Sequence, residues 1–155
     1  MITKIDIDEG KIFTSVSMVT SYIGANAVSE QDVNAYDRIF TTDENKEILQ
    51  TAFRLAVAEC VEMLYPYTKQ EISGTEKESG NIQLRLPLGF SSTTLELIQV
   101  LVKEYIIYYI VTQWLMLVDP NRAQVYAEKY LYAKQKIQTA LLSRTRPLKR
   151  ILKPF

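Results

Sequence analysis

The chain has 155 residues, of which 47% are apolar and 23% charged, as expected for one globular domain with a buried core. It contains no histidine and a single cysteine, Cys60. Histidine general bases, Ser-His and Cys-His pairs, histidine metal sites, zinc–thiolate clusters and an intrachain disulfide are therefore excluded. Most common enzyme chemistry is excluded with them.

The first residues predict an extended arm rather than a secretory signal. Asp6, Asp8 and Glu9 stand where a signal peptide has a basic segment and then an apolar run. Residues 105–118 form the longest apolar stretch, which is shorter than the roughly 20 residues that span a bilayer. We therefore expect neither a signal peptide nor a transmembrane helix, and a single cysteine fits a reducing compartment.

Two helices are predicted next. Apolar residues spaced three and four apart over residues 12–23 predict a helix that ends at Gly24, although the many β-branched residues there also permit a strand. Ser29 is placed to cap a short second helix that carries Val33, Tyr36 and Ile39.

A longer helix is predicted after Thr41. Thr41-x-x-Glu44 has the spacing of a capping box, and apolar residues then repeat every three or four positions as far as Leu64. Pro66 ends this helix of about 22 residues.

The polar groups on that helix have a structural interpretation. Cys60 lies on the apolar face, where a buried thiol is expected rather than a reactive one. Glu59 and Glu62 flank the face, and we expect a solvated helix side rather than a catalytic pair, because nothing in the sequence supplies a facing carboxylate pair or a metal.

An inserted β-hairpin is predicted over residues 69–88. Ile82 and Leu84 alternate with polar residues, which is the period of a strand, and Ile72 marks a weaker partner strand before a polar turn. An isolated hairpin is marginally stable in water. It should therefore pack on the helices or pair with strands of a neighbouring copy.

Two long helices are predicted to follow. Thr93-x-x-Glu96 has capping-box spacing and begins a helix over residues 94–118, whose second half is apolar nearly all round. Such a helix is enclosed by protein, either as a central helix or at a subunit interface. Asp119-Pro120 begins the last helix, residues 120–143, after an antiparallel hairpin or a sharp kink.

The tyrosines of these helices lie mostly among aliphatic residues. Core or interface packing is therefore favoured over base stacking, which needs interleaved basic groups. The predicted interface residues are Tyr105, Tyr108, Tyr109, Trp114, Tyr126 and Tyr130, with Ile82 and Leu84 of the strand.

Charge is distributed unevenly along the chain. Residues 1–78 hold seven Lys/Arg and fourteen Asp/Glu, whereas residues 79–155 hold eleven and four. The sharpest basic stretch is a tail without acids, comprising Arg144, Arg146, Lys149, Arg150 and Lys153. Such a tail is a solvated terminus, a phosphate-facing segment or a site for an acidic protein, and the sequence leaves these open.

These patterns predict a mainly α fold, a helical bundle of three to five helices with one inserted β-hairpin. We expect residues 1–40 to form an N-terminal arm and short helices, residues 41–143 a helical core with the hairpin at 69–88, and residues 144–155 a basic tail. A single copy is expected to leave tyrosine-rich surface and an unsupported ribbon for sister copies to cover.

The four segments of the core occur in a characteristic order: ENKEILQTAFRLAVAECVEMLYPY, EISGTEKESGNIQLRLPLGF, STTLELIQVLVKEYIIYYIVTQWL and AQVYAEKYLYAKQKIQTALLSRTRP. In this order, over residues 43–147, the chain resembles the small head–tail connector (adaptor or neck-ring) proteins of tailed bacteriophages.

The resemblance implies a virion structural protein, assembled in the bacterial host cytoplasm, that forms a homo-oligomeric ring, commonly a dodecamer. Such a ring lies between the portal protein and the next neck or tail protein and extends the channel through which double-stranded DNA passes. It implies no cofactor and no catalysis, and a basic tail that reaches the portal or faces the channel. The opposite charges of the two halves suit a head-to-tail contact that closes into a ring.

Two alternatives come from other functional classes. One is a small helical binding module or regulator whose basic tail contacts nucleic acid or protein. The other is an enzyme that uses carboxylate or tyrosine chemistry in a concave pocket.

Overall fold

The computed structural model describes residues 1–68 and 81–142. Its elements in chain order are β1 (Ile2–Asp6), α1 (Glu9–Ala27), α2 (Ala35–Ile39), a 3-10 turn (Asp43–Asn45), α3 (Lys46–Met63), β2 (Asn81–Arg85), α4 (Ser92–Val118) and α5 (Pro120–Leu141). The chain is thus mainly helical with a small two-stranded antiparallel sheet, which confirms the predicted fold class.

Helix α4 is the centre of the bundle, because α1, α2, α3 and α5 all pack against it. Its side chains are buried around most of its circumference, and Ile106, Ile110 and Leu115 are fully inaccessible to solvent. This enclosure explains why the second half of the helix has no polar face.

Helices α4 and α5 form an antiparallel hairpin, not a kinked helix. The rings of Tyr105 and Tyr130, which lie at similar distances on either side of the junction, meet edge to face with centroids 5.7 Å apart. Asp119 forms the junction and its carboxylate pairs with Arg122, while Pro120 occupies the first position of α5. Proline is favoured there because its missing N–H would have no partner in the helix.

The sheet joins the N-terminal arm to β2. The strands are antiparallel, with Ile5 opposite Ile82, and the side chains of Ile5, Ile82 and Leu84 are at most 2% exposed. The arm therefore packs on its own subunit. This corrects the expectation that a neighbouring copy must cover the ribbon, and the partner strand expected at Ile72 lies outside the described residues.

Helix α1 continues through Gly24 instead of ending there. A Cβ atom at Gly24 would lie 3.2 Å from Tyr36 Cα, so the missing side chain allows α2 to approach closely. Ser29 does not cap α2, whose N-cap position is Asn34; its hydroxyl accepts from the backbone N–H of Asp32. Both predictions from sequence were wrong because they considered the residues without their tertiary neighbours.

The caps near the starts of α3 and α4 lie one and two residues from the predicted ones, and the first belongs to the 3-10 turn that precedes α3. Thr42, not Thr41, forms the capping box, and its backbone N–H donates to Asn45 Oδ1 at 3.0 Å. Thr41 is buried instead. Ser91, not Thr93, caps α4. Each site offers neighbouring hydroxyl residues, and packing decides which one faces the helix end.

Two contacts tie the N-terminal half to the rest of the bundle. Phe13 of α1 and Phe53 of α3 meet edge to face, with ring centroids 5.8 Å apart. Trp114 of α4 donates its indole N–H to the carbonyl oxygen of Ile39 at 2.7 Å, and both residues are buried. The indole therefore satisfies a carbonyl at the end of α2 that water does not reach.

Candidate interaction surfaces

Most of the predicted interface side chains lie inside the subunit. Tyr105, Tyr109 and Trp114 are 0%, 6% and 6% exposed, and Ile82 and Leu84 are 2% and 1% exposed. No partner reaches them while the subunit stays closed, which corrects the expectation that they form a subunit interface. The physical reason is that the chain covers α4 with its own helices and β2 with its own N-terminal strand.

The centre of the tyrosine cluster is sealed and hydrogen-bonded. The ring of Tyr105 stacks on Tyr109 with centroids 5.9 Å apart, and its hydroxyl donates to the carboxylate of Glu59. Burial first, and then this hydrogen bond, raise the pKa of Tyr105 above its ordinary value. Glu59 is thus an acceptor for a buried phenol, whereas Glu62 is exposed.

The outer tyrosines lie near the surface, where lysine side chains contact their rings. Tyr108 and Tyr126 are half-buried neighbours, and Lys129 Nζ lies 5.3 Å and 4.8 Å from their ring centroids. Lys136 Nζ similarly lies 5.4 Å from the ring centroid of Tyr132. A cation over a tyrosine ring is attracted by the ring quadrupole, so these contacts hold the two ammonium groups in defined positions.

These lysines belong to a basic stripe on α5, which we define as Arg122, Lys129 and Lys136. All three are exposed and follow one another at intervals of seven residues, which places them on one face of the helix at a spacing of about 10 Å. Glu128 is the only acidic residue in the sequence of α5. The outer face of this helix is therefore positively charged.

An acidic segment, residues 28–47, has the opposite character. It holds six Asp/Glu and two Lys/Arg. Asp32 pairs with Arg38 at 2.7 Å, and that hydrogen bond is the main reason why the pKa of Asp32 lies below its ordinary value. The other acids are exposed and have no ion-pair partner in the described part of the chain: Glu30, Asp37, Asp43, Glu44 and Glu47.

Beyond Lys11, the outer face of α1 carries no charge, since residues 12–29 contain no Asp, Glu, Lys or Arg. Thr14, Met18, Tyr22 and Ala25 form this face, and Met18 and Tyr22 are 60% and 71% exposed. Solvent-facing helix surfaces normally carry charged residues. The sequence reasoning missed this surface, although the uncharged run was visible in the sequence.

Apolar side chains are also exposed elsewhere. Ile48, Leu55 and Val61 lie on the outer side of α3, and Leu88 before α4 is 95% exposed. The subunit thus closes its core but does not have a polar surface throughout, so part of its apolar surface remains for another molecule to cover.

Cys60 is buried, as predicted, and burial raises the pKa of its thiol. Within residues 1–68 and 81–142, no group of three or more Cys, Asp or Glu side chains is placed to hold a metal ion. No helix in that part of the chain combines the length and apolarity needed to cross a membrane.

The predicted basic tail, residues 144–155, lies outside the described residues. Comparison with known proteins gives no relative: no protein-family model, no curated protein and no solved structure matches the chain.

Proposed function

We propose that this chain is a structural subunit of a tailed-bacteriophage neck, a head–tail connector protein that forms a homo-oligomeric ring between the portal protein and the next neck or tail component. The order of its elements over residues 43–147 supports the proposal, because a long helix, a strand segment and a helical hairpin follow one another as in the connector proteins that the sequence resembles.

The observation that carries the proposal is the uncharged outer face of α1 on a subunit whose core is already closed. Burying an exposed large apolar side chain contributes about 1.5–3 kcal/mol. Because Met18 and Tyr22 are 60% and 71% exposed, covering them with another protein would still provide more than half of that gain for each side chain. A surface of this kind suits a protein whose role is to contact other proteins.

The closed core also fits the order of assembly in the proposal. A subunit that seals its own aromatic cluster and its own sheet can fold before it meets its neighbours. Its contacts are then made through moderate surface patches, so dilute protein is expected to associate weakly and to assemble fully when the portal gathers many copies.

Co-sedimentation with the portal protein of the same phage genome tests this function. The wild-type chain should enter portal-containing particles in stoichiometric amounts, and a Met18→Glu/Tyr22→Glu variant should be depleted from them at least about tenfold. Ser92→Glu/Thr93→Glu is the control, because it adds the same two charges at exposed polar positions in the first turn of α4. A wild-type chain that stays monomeric and never enters such particles contradicts the proposal.

A nucleic-acid-binding module is the second candidate, and one observation favours it. Residues 120–155 hold nine Lys/Arg and a single acid. If this function is correct, the chain binds double-stranded DNA with an affinity that falls steeply with salt, and removal of residues 144–155 weakens that binding. Absent or salt-independent binding rejects this candidate.

A further inference from the structure

We propose that copies of this chain contact one another head to tail, with the acidic segment of one copy docked on the basic stripe of the next. This inference rests on the proposed function, because it names the subunit contact within the assembled ring. It adds the two surfaces and the force that joins them.

The acidic segment lies at the α4–α5 junction end of the bundle, next to Arg122, whereas the two lysines of the basic stripe lie farther along α5. Ile39, within the acidic segment, accepts a hydrogen bond from Trp114, which lies close to the α4–α5 junction. Arg122, at the start of α5, lies close enough to Asp32 that its positive charge also lowers the pKa of Asp32. This effect is weaker than that of the hydrogen bond from Arg38. The acidic segment is therefore anchored at the junction end.

The lysines of the stripe extend away from that end. Lys136 follows the junction residue Asp119 by seventeen positions, which corresponds to about 25 Å along the helix axis. This distance is about three Debye lengths at physiological salt, so charges that far apart are largely screened from each other. Lys136 therefore cannot neutralise the acidic segment of its own subunit. Arg122 pairs with Asp119 and acts on Asp32, so the charge that remains for a partner is that of the lysines and of the exposed acids.

The lysines are already positioned for a partner. Lys129 lies over the rings of Tyr108 and Tyr126, and Lys136 over that of Tyr132. A long side chain normally loses conformational freedom when it is fixed in an interface. Here the rings have restricted it in the free subunit, so less entropy is lost on docking.

A second copy fits these charges better than DNA does. The complementary surface is present on the chain itself, in Glu30, Asp37, Asp43, Glu44 and Glu47. The same acids repel a polyanion from the subunit. A contact between two different faces of identical subunits is heterologous, and it generates a ring when the rotation closes.

Charge reversal with mixing tests the contact. Lys129→Glu/Lys136→Glu makes the stripe acidic, and Glu44→Lys/Glu47→Lys makes the segment basic at these two positions. Association is measured by sedimentation velocity and on portal-containing particles, at about 50 mM and about 500 mM salt, a range over which screening increases strongly. Arg85→Glu/Lys103→Glu is the matched control for the stripe variant, because it changes the net charge equally at exposed positions on β2 and α4.

Each reversed variant alone should associate at least about tenfold more weakly than the wild type at low salt, and an equimolar mixture of the two should recover association, since every contact in it is again between opposite charges. The control should associate as the wild type does. Circular dichroism checks folding, and Glu44→Gln/Glu47→Gln replaces the Lys variant if lysines at the start of α3 unfold it.

Two outcomes overturn the inference while leaving the proposed function in place: association that the reversals do not change, or a mixture that does not recover. Loss of salt-dependent DNA binding in the stripe variant, with self-association intact, assigns the stripe to DNA and also overturns the inference. A wild-type chain that associates neither alone nor on the portal contradicts the proposed function itself.

Discussion

Replacing Trp114 with phenylalanine tests whether α4 is covered by its own chain. The Trp114 indole donates to the Ile39 carbonyl oxygen at 2.7 Å, and both residues are buried. Phenylalanine leaves that carbonyl without a partner, which costs about 1–3 kcal/mol, and its smaller ring leaves a void that costs about 1 kcal/mol more. The expected loss of unfolding free energy is roughly 2–4 kcal/mol, or about 4–15 °C in Tm for a chain of this length.

The assay is urea unfolding followed by circular dichroism, because Trp114 is the only tryptophan and its fluorescence is lost in the variant. Tyr22→Phe is the control, since Tyr22 is 71% exposed, and it should change the unfolding free energy by less than about 0.5 kcal/mol. The loss in Trp114→Phe should not depend on protein concentration, because both partners belong to one chain.

Either of two results refutes this reasoning. An unchanged urea midpoint means that the indole does not satisfy the Ile39 carbonyl. A loss that grows as the protein is diluted means that Trp114 is covered by a second subunit, as the sequence first suggested.

Three further predictions concern the core. Cys60 should react with a thiol reagent only after unfolding, because it is buried and the pKa of its thiol is raised; fast reaction of the native protein would show an open core. Since the pKa of Tyr105 is raised by burial and by its hydrogen bond to Glu59, its stabilising contribution is complete below pH 10 and is lost as the pH rises further. As the pH rises above 10, the unfolding free energy measured by urea titration should therefore fall less in Tyr105→Phe than in the wild type. Equal falls would contradict this. Leu84→Ala should lower the unfolding free energy by about 2–5 kcal/mol while Leu88→Ala changes it little, and equal effects would show that β1 does not cover β2.

Much of the fold could be predicted because it depends on local periodicity. The apolar repeat ending at Leu64, the strand alternation at Ile82 and Leu84, and the Asp119-Pro120 junction all correspond to observed element ends or faces. These signals can be read from the spacing of apolar residues alone, which is three to four residues in a helix and two in a strand.

The wrong predictions concern the packing partners of the helices. The apolar surround of α4 indicated enclosure by protein but did not identify the enclosing chain, so Tyr105 and Trp114 were assigned to a subunit interface that the structure does not leave open. Gly24 resembled a helix stop because its role depends on Tyr36, twelve residues later. A one-dimensional pattern specifies which face is apolar and leaves its partner to the tertiary fold.

The candidate surfaces were partly visible in the sequence. Tyr126-x-x-Lys129 and Tyr132-x-x-x-Lys136 have the spacing at which helical side chains meet, so two of the ring–lysine contacts follow from spacing alone. The contact of Lys129 with Tyr108 required the α4–α5 hairpin. The uncharged face of α1 was also visible, because residues 12–29 contain no charged residue, but a missing charge forms no motif.

The most direct test of the proposed function is a single-particle reconstruction of portal-containing particles that hold this protein. We expect a closed ring of this protein beneath the portal, with Met18 and Tyr22 covered by a neighbouring protein. A neck density that this fold does not fit, or a ring in which the α1 face points to open solvent, would contradict it.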